Sequence, residues 1–141
     1  MAENFQVDIV SPERLIVSAA AQAVVVPGSE GYLTVMAEHA PMMTTLRRGF
    51  ITVTGADGSS AVYYVSGGFA DVTPTSLTIL ADEALPAAEF DHGQLQVQIK
   101  AAQATLAAAQ SHEDRNFAQE TVSGLLNLAL EAGQLGGAHV H

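Results

Sequence analysis

The sequence contains no cysteine, only five Lys and Arg residues, and no long uninterrupted apolar run. Without cysteine there can be no disulfide scaffold, no thiolate zinc site and no cysteine nucleophile. The five bases, Arg14, Arg47, Arg48, Lys100 and Arg115, stand against fifteen acids, for a net charge of -10. That balance repels nucleic acid and anionic lipid surfaces rather than attracting them. Charge or Gly/Pro interrupts every apolar stretch before it reaches the ~20 residues of a membrane helix. The opening residues, Met1 to Phe5, lack the basic and apolar regions of a signal peptide and the arginines of a transit peptide. The expectation is a protein that works in the cytoplasm, where it is made.

What is present is ample material for a core: 48 % of the 141 residues are hydrophobic and 14 % are charged, so disorder is excluded as the default state. Up to about residue 85 the pattern is that of short strands. Phe5, Val7 and Ile9 alternate with Gln6, Asp8 and Val10, close to the period of two of a half-buried strand. Further apolar runs follow at Leu15 to Val17, Ala23 to Val26, Phe50 to Val53, Ala61 to Val65 and Leu77 to Leu80, with Gly and Pro between them. The segment from Ile51 to Val65 reads as a hairpin turning at Asp57-Gly58, where Gly accepts the positive φ of a tight turn. Many short strands with frequent turns indicate an antiparallel sandwich or barrel.

Pro86 marks a change of regime. From about Asp91 the sequence is rich in Ala, Gln and Leu, and Leu95, Ile99, Ala102, Leu106 and Ala109 recur at steps of three and four. Ser111, with Glu113 and Asp114 behind it, announces a second helix whose apolar face is expected to hold Phe117, Val122, Leu125, Leu126 and Leu130. Gly133, Gly136 and Gly137 are expected to end it early and leave a flexible tail. The fold class is therefore α+β: a β-sandwich over residues 1–86, then an antiparallel two-helix hairpin over 87–141.

Little here suggests bond chemistry. Neither a Gly-x-x-x-x-Gly-Lys-Ser/Thr loop nor a Gly-x-Gly-x-x-Gly fingerprint occurs, and Ser66-Gly67-Gly68 lacks the context of a nucleophile elbow. His39, in Ala37-Glu38-His39-Ala40-Pro41, is better read as a hydrogen-bonding loop residue than as a metal ligand. His92 and His112 fall at helix starts, and the terminal His139-Val140-His141 has no third ligand in view. Glu113-Asp114 suits the positive end of a helix, and Asp82-Glu83 cannot be assigned to a pocket. No cofactor, metal or catalytic residue is expected. One alternative is a small enzyme using His39 and Glu38 as acid–base groups. Another is a free-standing binding module.

The run Gly28-Ser-Glu-Gly-Tyr-Leu-Thr-Val-Met-Ala-Glu-His-Ala-Pro-Met-Met-Thr-Thr-Leu-Arg-Arg-Gly49 resembles the epsilon subunit family of bacterial and chloroplast ATP synthases, called delta in mitochondria. Val65-Ser-Gly-Gly-Phe69-Ala-Asp-Val72 looks like the family's Ser-Gly-Gly strand pair, and Leu77-Thr-Ile-Leu-Ala-Asp82 like its strand ending. Ser111-His-Glu-Asp-Arg-Asn-Phe-Ala-Gln119 is similar to the turn into its second helix. The resemblance spans nearly the whole chain, and the order of its motifs makes it specific.

It implies a non-catalytic subunit of the rotating central stalk, on the cytoplasmic face of the bacterial inner membrane. There it would link the gamma subunit to the membrane c-ring and so couple proton transport to ATP synthesis. By that likeness, Gly28 and Gly31 turn a loop that presents Glu30 and Tyr32 to the polar loops of the ring. Pro41 stiffens the next loop, which displays His39, Met42 and Met43 on the same side. Another sandwich surface grips gamma. The hairpin could reach the alpha and beta subunits and restrain ATP hydrolysis, with Asp91, Gln94, Lys100 and Arg115 as candidate regulatory residues. Its six acids against two bases argue for a weak effect. Some members bind ATP through Ile/Leu-Asp-x-x-Arg-Ala. Here Phe90-Asp91-His92-Gly93-Gln94-Leu95 keeps the acid but replaces the arginine.

Overall fold

A computed structural model describes residues 3–139, with side chains described from 3 to 133. The chain divides into two units, Met1–Phe90 and Asp91–His141.

The first unit is built from nine strands: β1 Phe5–Val10, β2 Leu15–Gly28, β3 Gly31–Met36, β4 Met42–Leu46, β5 Gly49–Gly55, β6 Ser60–Val65, β7 Gly68–Val72, β8 Ser76–Ala81 and β9 Ala84–Pro86. The fourteen-residue β2 serves two layers. Its first half pairs with β1, which joins β8, β7 and β4 in turn. An irregularity between Ala21 and Ala23 carries it over. Its second half then pairs with β3 on one side and β5 on the other, and β5 is followed in turn by β6 and β9. All pairings are antiparallel except β1 with β8.

The alternation seen in the sequence decides what lies between the layers. Val7, Ile9, Val24, Val26, Val35, Ile51, Val65, Leu77 and Ile79 are fully buried. Branched side chains at every second position suit this pleated, two-layer core. The expected hairpin is there: Gly49↔Val65 through Thr54↔Ser60, with Gly58 at φ +85. Asp57 closes the turn, its Oδ1 accepting from Ser59 N (3.0 Å) and Ser59 Oγ (2.6 Å). Those bonds hold its carboxyl below the ordinary value, side-chain bond first.

Two expectations for this unit change. Met42 and Met43 do not sit on a loop stiffened by Pro41; they open β4. Nor does the helical part begin directly after Pro86, at 87. Pro86 ends β9 opposite Tyr63, and the 3-10 turn Ala87–Glu89 and Phe90 still belong to the sandwich unit. Phe90 lies 4.7 Å from the Tyr64 ring and 5.4 Å from the Phe50 ring, and those two are 5.7 Å apart. Both edge-to-face geometries involving Phe50 are favourable. Burial raises the Tyr64 hydroxyl above its ordinary value, with Glu83 adding to the shift and Arg48 opposing it.

The second unit holds α1 His92–Ala108 and α2 His112–His139, packed on each other across a short connection. Asp91 caps α1, its Oδ1 accepting from Gln94 N at 2.9 Å. Ser111 caps α2 as expected, accepting from Asp114 N at 3.0 Å. In α1, Leu95 and Ile99 are buried and Ala102 and Leu106 half-buried, so the sequence reading of this face holds up to Leu106, while Ala109, also half-buried, lies just past the helix as its extended C-cap. In α2 it holds only in part. Ala118, Val122, Leu125, Leu128 and Ala132 are buried, whereas Phe117, Leu126 and Leu130 are exposed. Large apolar residues lie all round this helix, and periodicity alone favoured their size over the small Ala118 and Ala132. Nor do the glycines end α2, which runs on through Gly133, Gly136 and Gly137. Glycine lowers helix propensity by only ~1 kcal/mol relative to alanine. The terminal pair Val140-His141 lies outside the described residues.

Candidate partner-binding surfaces

The turn between β2 and β3 consists of Ser29 and the exposed Glu30, closed by Gly28 opposite Gly31. Gly31, at φ +135, has the conformation that glycine alone adopts readily. The neighbouring β4–β5 turn is tied to it: Ser29 N donates to Thr45 O (3.0 Å) and Arg47 N to Pro27 O (2.9 Å). Tyr32 stands between the two turns. Its hydroxyl accepts from Phe50 N at 3.4 Å, and the Arg47 guanidinium lies 4.8 Å above its ring. Gly49 leaves room for this contact, since a Cβ there would come 3.0 Å from the Tyr32 hydroxyl and 2.9 Å from Pro27 Cβ. Tyr32 therefore fixes the shape of this end, and Glu30 projects from it.

His39, Met42 and Met43 are elsewhere. β3 carries the chain from one end of the sandwich to the other, about 17 Å at the usual strand rise. There His39 N donates to Met36 O (3.2 Å) and Glu38 N to Pro74 O (2.9 Å). Glu38 takes φ 66 and is exposed, while His39 Nδ1 lies 2.9 Å from Ala40 O. These contacts make His39 a loop histidine bonded to backbone. Met42 pairs with Val72 at that same end, half-exposed, and Met43 with Asp71, largely exposed. The five residues grouped by the sequence reading thus form two sets at opposite ends.

A cleft of about 410 Å³, lined by Ser11, Arg14, Asp82, Glu83 and Glu89 among others, opens at the end that holds Glu30. Among the described residues no group of three or more His, Asp or Glu is placed to hold a metal ion.

The broadest feature is one that the sequence reading missed. The outward side of the β4–β7–β8–β1–β2 layer carries a row of residues in register across five strands: Thr45, Phe69, Leu80, Val10 and Leu15. Phe69, Leu80 and Leu15 are each more than half exposed, at 52 %, 54 % and 58 %. Beside it runs a second row, Met43, Asp71, Thr78, Asp8 and Ser18. Each strand contributes one apolar residue where a solvated face should place a polar one. Val10 breaks the alternation of β1 and Leu80 that of β8, and those breaks were the available signal. A contiguous exposed apolar patch on a sheet marks a docking surface.

In the helical unit, Asp91 is engaged as a cap, and Gln94, Lys100 and Arg115 are exposed. Gln94 gives its backbone N–H to Asp91, and Arg115 N donates to Ser111 O at 3.0 Å. No helix among the described residues is long and apolar enough to cross a membrane.

Residues 4–87 match the family model for the ATP synthase delta/epsilon chain, β-sandwich domain. The ATP synthase epsilon chain of Brucella anthropi is 46 % identical over 128 residues, covering 91 % of this chain and 95 % of the relative. That of Rhizobium rhizogenes is 43 % identical over 129 residues, covering 92 % and 96 %. Among solved structures, a chain of the Euglena gracilis mitochondrial ATP synthase (OSCP/F1/c-ring, rotational state 1) aligns with TM-score 0.71 at 24 % identity, covering 98 % of this chain and 82 % of that one. A chain of the Tetrahymena thermophila mitochondrial ATP synthase central stalk and c-ring gives 0.62 at 13 %, covering 92 % and 96 %. At those identities the structural likeness speaks for the fold alone.

Proposed function

Because the chain belongs to the ATP synthase delta/epsilon family, we propose that it joins the gamma subunit to the membrane c-ring through two separate surfaces of its sandwich. It is a central-stalk subunit of the F-type synthase and performs no bond chemistry itself. The row Phe69, Leu80, Val10 and Leu15 carries the proposal, since a stalk that transmits torque needs a broad apolar contact to turn as one body. That face takes gamma. The end held in shape by Tyr32 and Arg47 offers Glu30 to the polar loops of the ring. His39, Met42 and Met43 lie too far from that end to share its contact. Assembly on those partners puts the chain at the cytoplasmic face of the bacterial inner membrane, coupling proton movement to ATP synthesis.

Copurification with gamma tests the assignment. The full chain should elute with gamma as a one-to-one complex, and Leu80→Asp should abolish it. Glu30→Lys should leave the gamma complex intact and weaken attachment to the ring in the assembled synthase. Retention of gamma by Leu80→Asp would remove the apolar row from the proposal.

A further inference from the structure

We infer that the outward face of the β4–β7–β8–β1–β2 layer recognises a partner surface in which an apolar ridge is flanked by Lys or Arg side chains. The inference rests on the reading that this face docks gamma, and it adds the chemistry that gamma must present.

Asp71 lies two residues beyond Phe69 in β7, and Asp8 two residues before Val10 in β1. Both therefore point to the same side as the apolar row, one residue-pair along. Thr78 stands between them in register, so the two carboxylates are two strands apart, about 10 Å at the usual strand spacing. Asp71 is exposed; Asp8 is half-buried and accepts from the neutral Gln6 amide at 3.2 Å. The sandwich's bases lie in end turns: Arg14 between β1 and β2, Arg47 and Arg48 between β4 and β5. Among the described residues, the strands of this face thus combine apolar residues with two acids and no base, while Arg14 and Arg47 border the two ends of the apolar row.

This combination discriminates among occupants. A second copy docked by a twofold axis through this face would bring its own acids, and no base from these strands, towards Asp8 and Asp71. Anionic lipid and nucleic acid meet the same repulsion. A protein surface carrying bases at the matching spacing is attracted, while the apolar row supplies the desolvated centre.

The test is the affinity of the full chain for the purified gamma subunit at low and high salt, for wild type, Asp8→Asn/Asp71→Asn, Asp8→Lys/Asp71→Lys and Leu80→Asp. Wild-type binding should weaken about tenfold between roughly 50 and 300 mM salt. The Asn pair should bind about tenfold more weakly at low salt and lose most of that dependence, and the Lys pair should bind more weakly still. Circular dichroism of each variant checks that it is folded. If Leu80→Asp loses gamma while the Asn pair keeps wild-type affinity and salt slope, the basic-partner inference is wrong and the docking face stands. If Leu80→Asp binds like wild type, the docking face itself is wrong. Concentration-dependent dimerisation that Leu80→Asp abolishes, without gamma binding, would make a second copy the occupant and overturn both.

Discussion

At single positions, small changes in this chain have large and different physical reasons. Gly68 takes φ +137, and a Cβ there would run into Leu80 O and lie 2.8 Å from Ala81 Cα. Both obstacles are backbone of the neighbouring strand, so neither can step aside. Gly68→Ala should destabilise the sandwich by about 2–4 kcal/mol, read as a lower urea midpoint. Tyr64 gives a pH effect whose sign can be worked out. Burial raises its folded-state value above the 10.0 of an exposed tyrosine. Between those two values the unfolded chain loses the proton first, so stability present below pH ~10 falls as pH rises further. Thermal unfolding from pH 9 to 12 should show that fall in wild type and a shallower one in Tyr64→Phe. Equal slopes would mean that the hydroxyl is not responsible.

At the scale of elements, the strands show what a sequence discloses and what it hides. Phe5, Val7 and Ile9 announced β1 because one side is core and the other is mostly solvent. Met42 and Met43 did not announce β4, since exposed methionines after a proline carry no alternation that separates strand from loop. The exposed apolar row was hidden for a related reason: Val10, Leu80 and Phe69 look like ordinary strand hydrophobics until register places them side by side. Which end a residue occupies was equally invisible, because Glu30 and His39 are nine positions apart in sequence yet a strand's length apart in space. The helices divide in the same way. Leu125 is buried at 7 % and Leu130 exposed at 65 %. Leu125→Ala should lower the stability of the helical unit by about 2–4 kcal/mol, and Leu130→Ala by less than about 0.5 kcal/mol. Urea unfolding followed by the helical signal would show the contrast. At the start of α1, Asp91 is occupied in capping and Gln94 offers no cation. Calorimetric titration with ATP should therefore give no binding in the physiological range, and a tight site would contradict this account.

For the whole molecule, the question is what the helical unit does to the synthase. From Asp91 onward there are two bases, Lys100 and Arg115, and five acids, Asp91, Glu113, Asp114, Glu120 and Glu131. If the unit restrains hydrolysis by docking on an acidic surface of the catalytic subunits, this balance works against it, because like charges oppose close approach even after salt screening. We therefore expect a weak restraint on ATP hydrolysis. The informative truncation ends at Phe90, because β9 and the Phe50–Tyr64–Phe90 cluster belong to the sandwich and a cut after Leu85 would damage it. The acidic unit can be removed in this way while the apolar face of the sandwich and the Glu30 turn remain. Synthase assembled with the shortened chain should hydrolyse ATP within about twofold of the intact complex. A rise of tenfold or more would identify the hairpin as a brake. Its exposed Phe117, Leu126 and Leu130, rather than its charge, would then be the surface through which it acts.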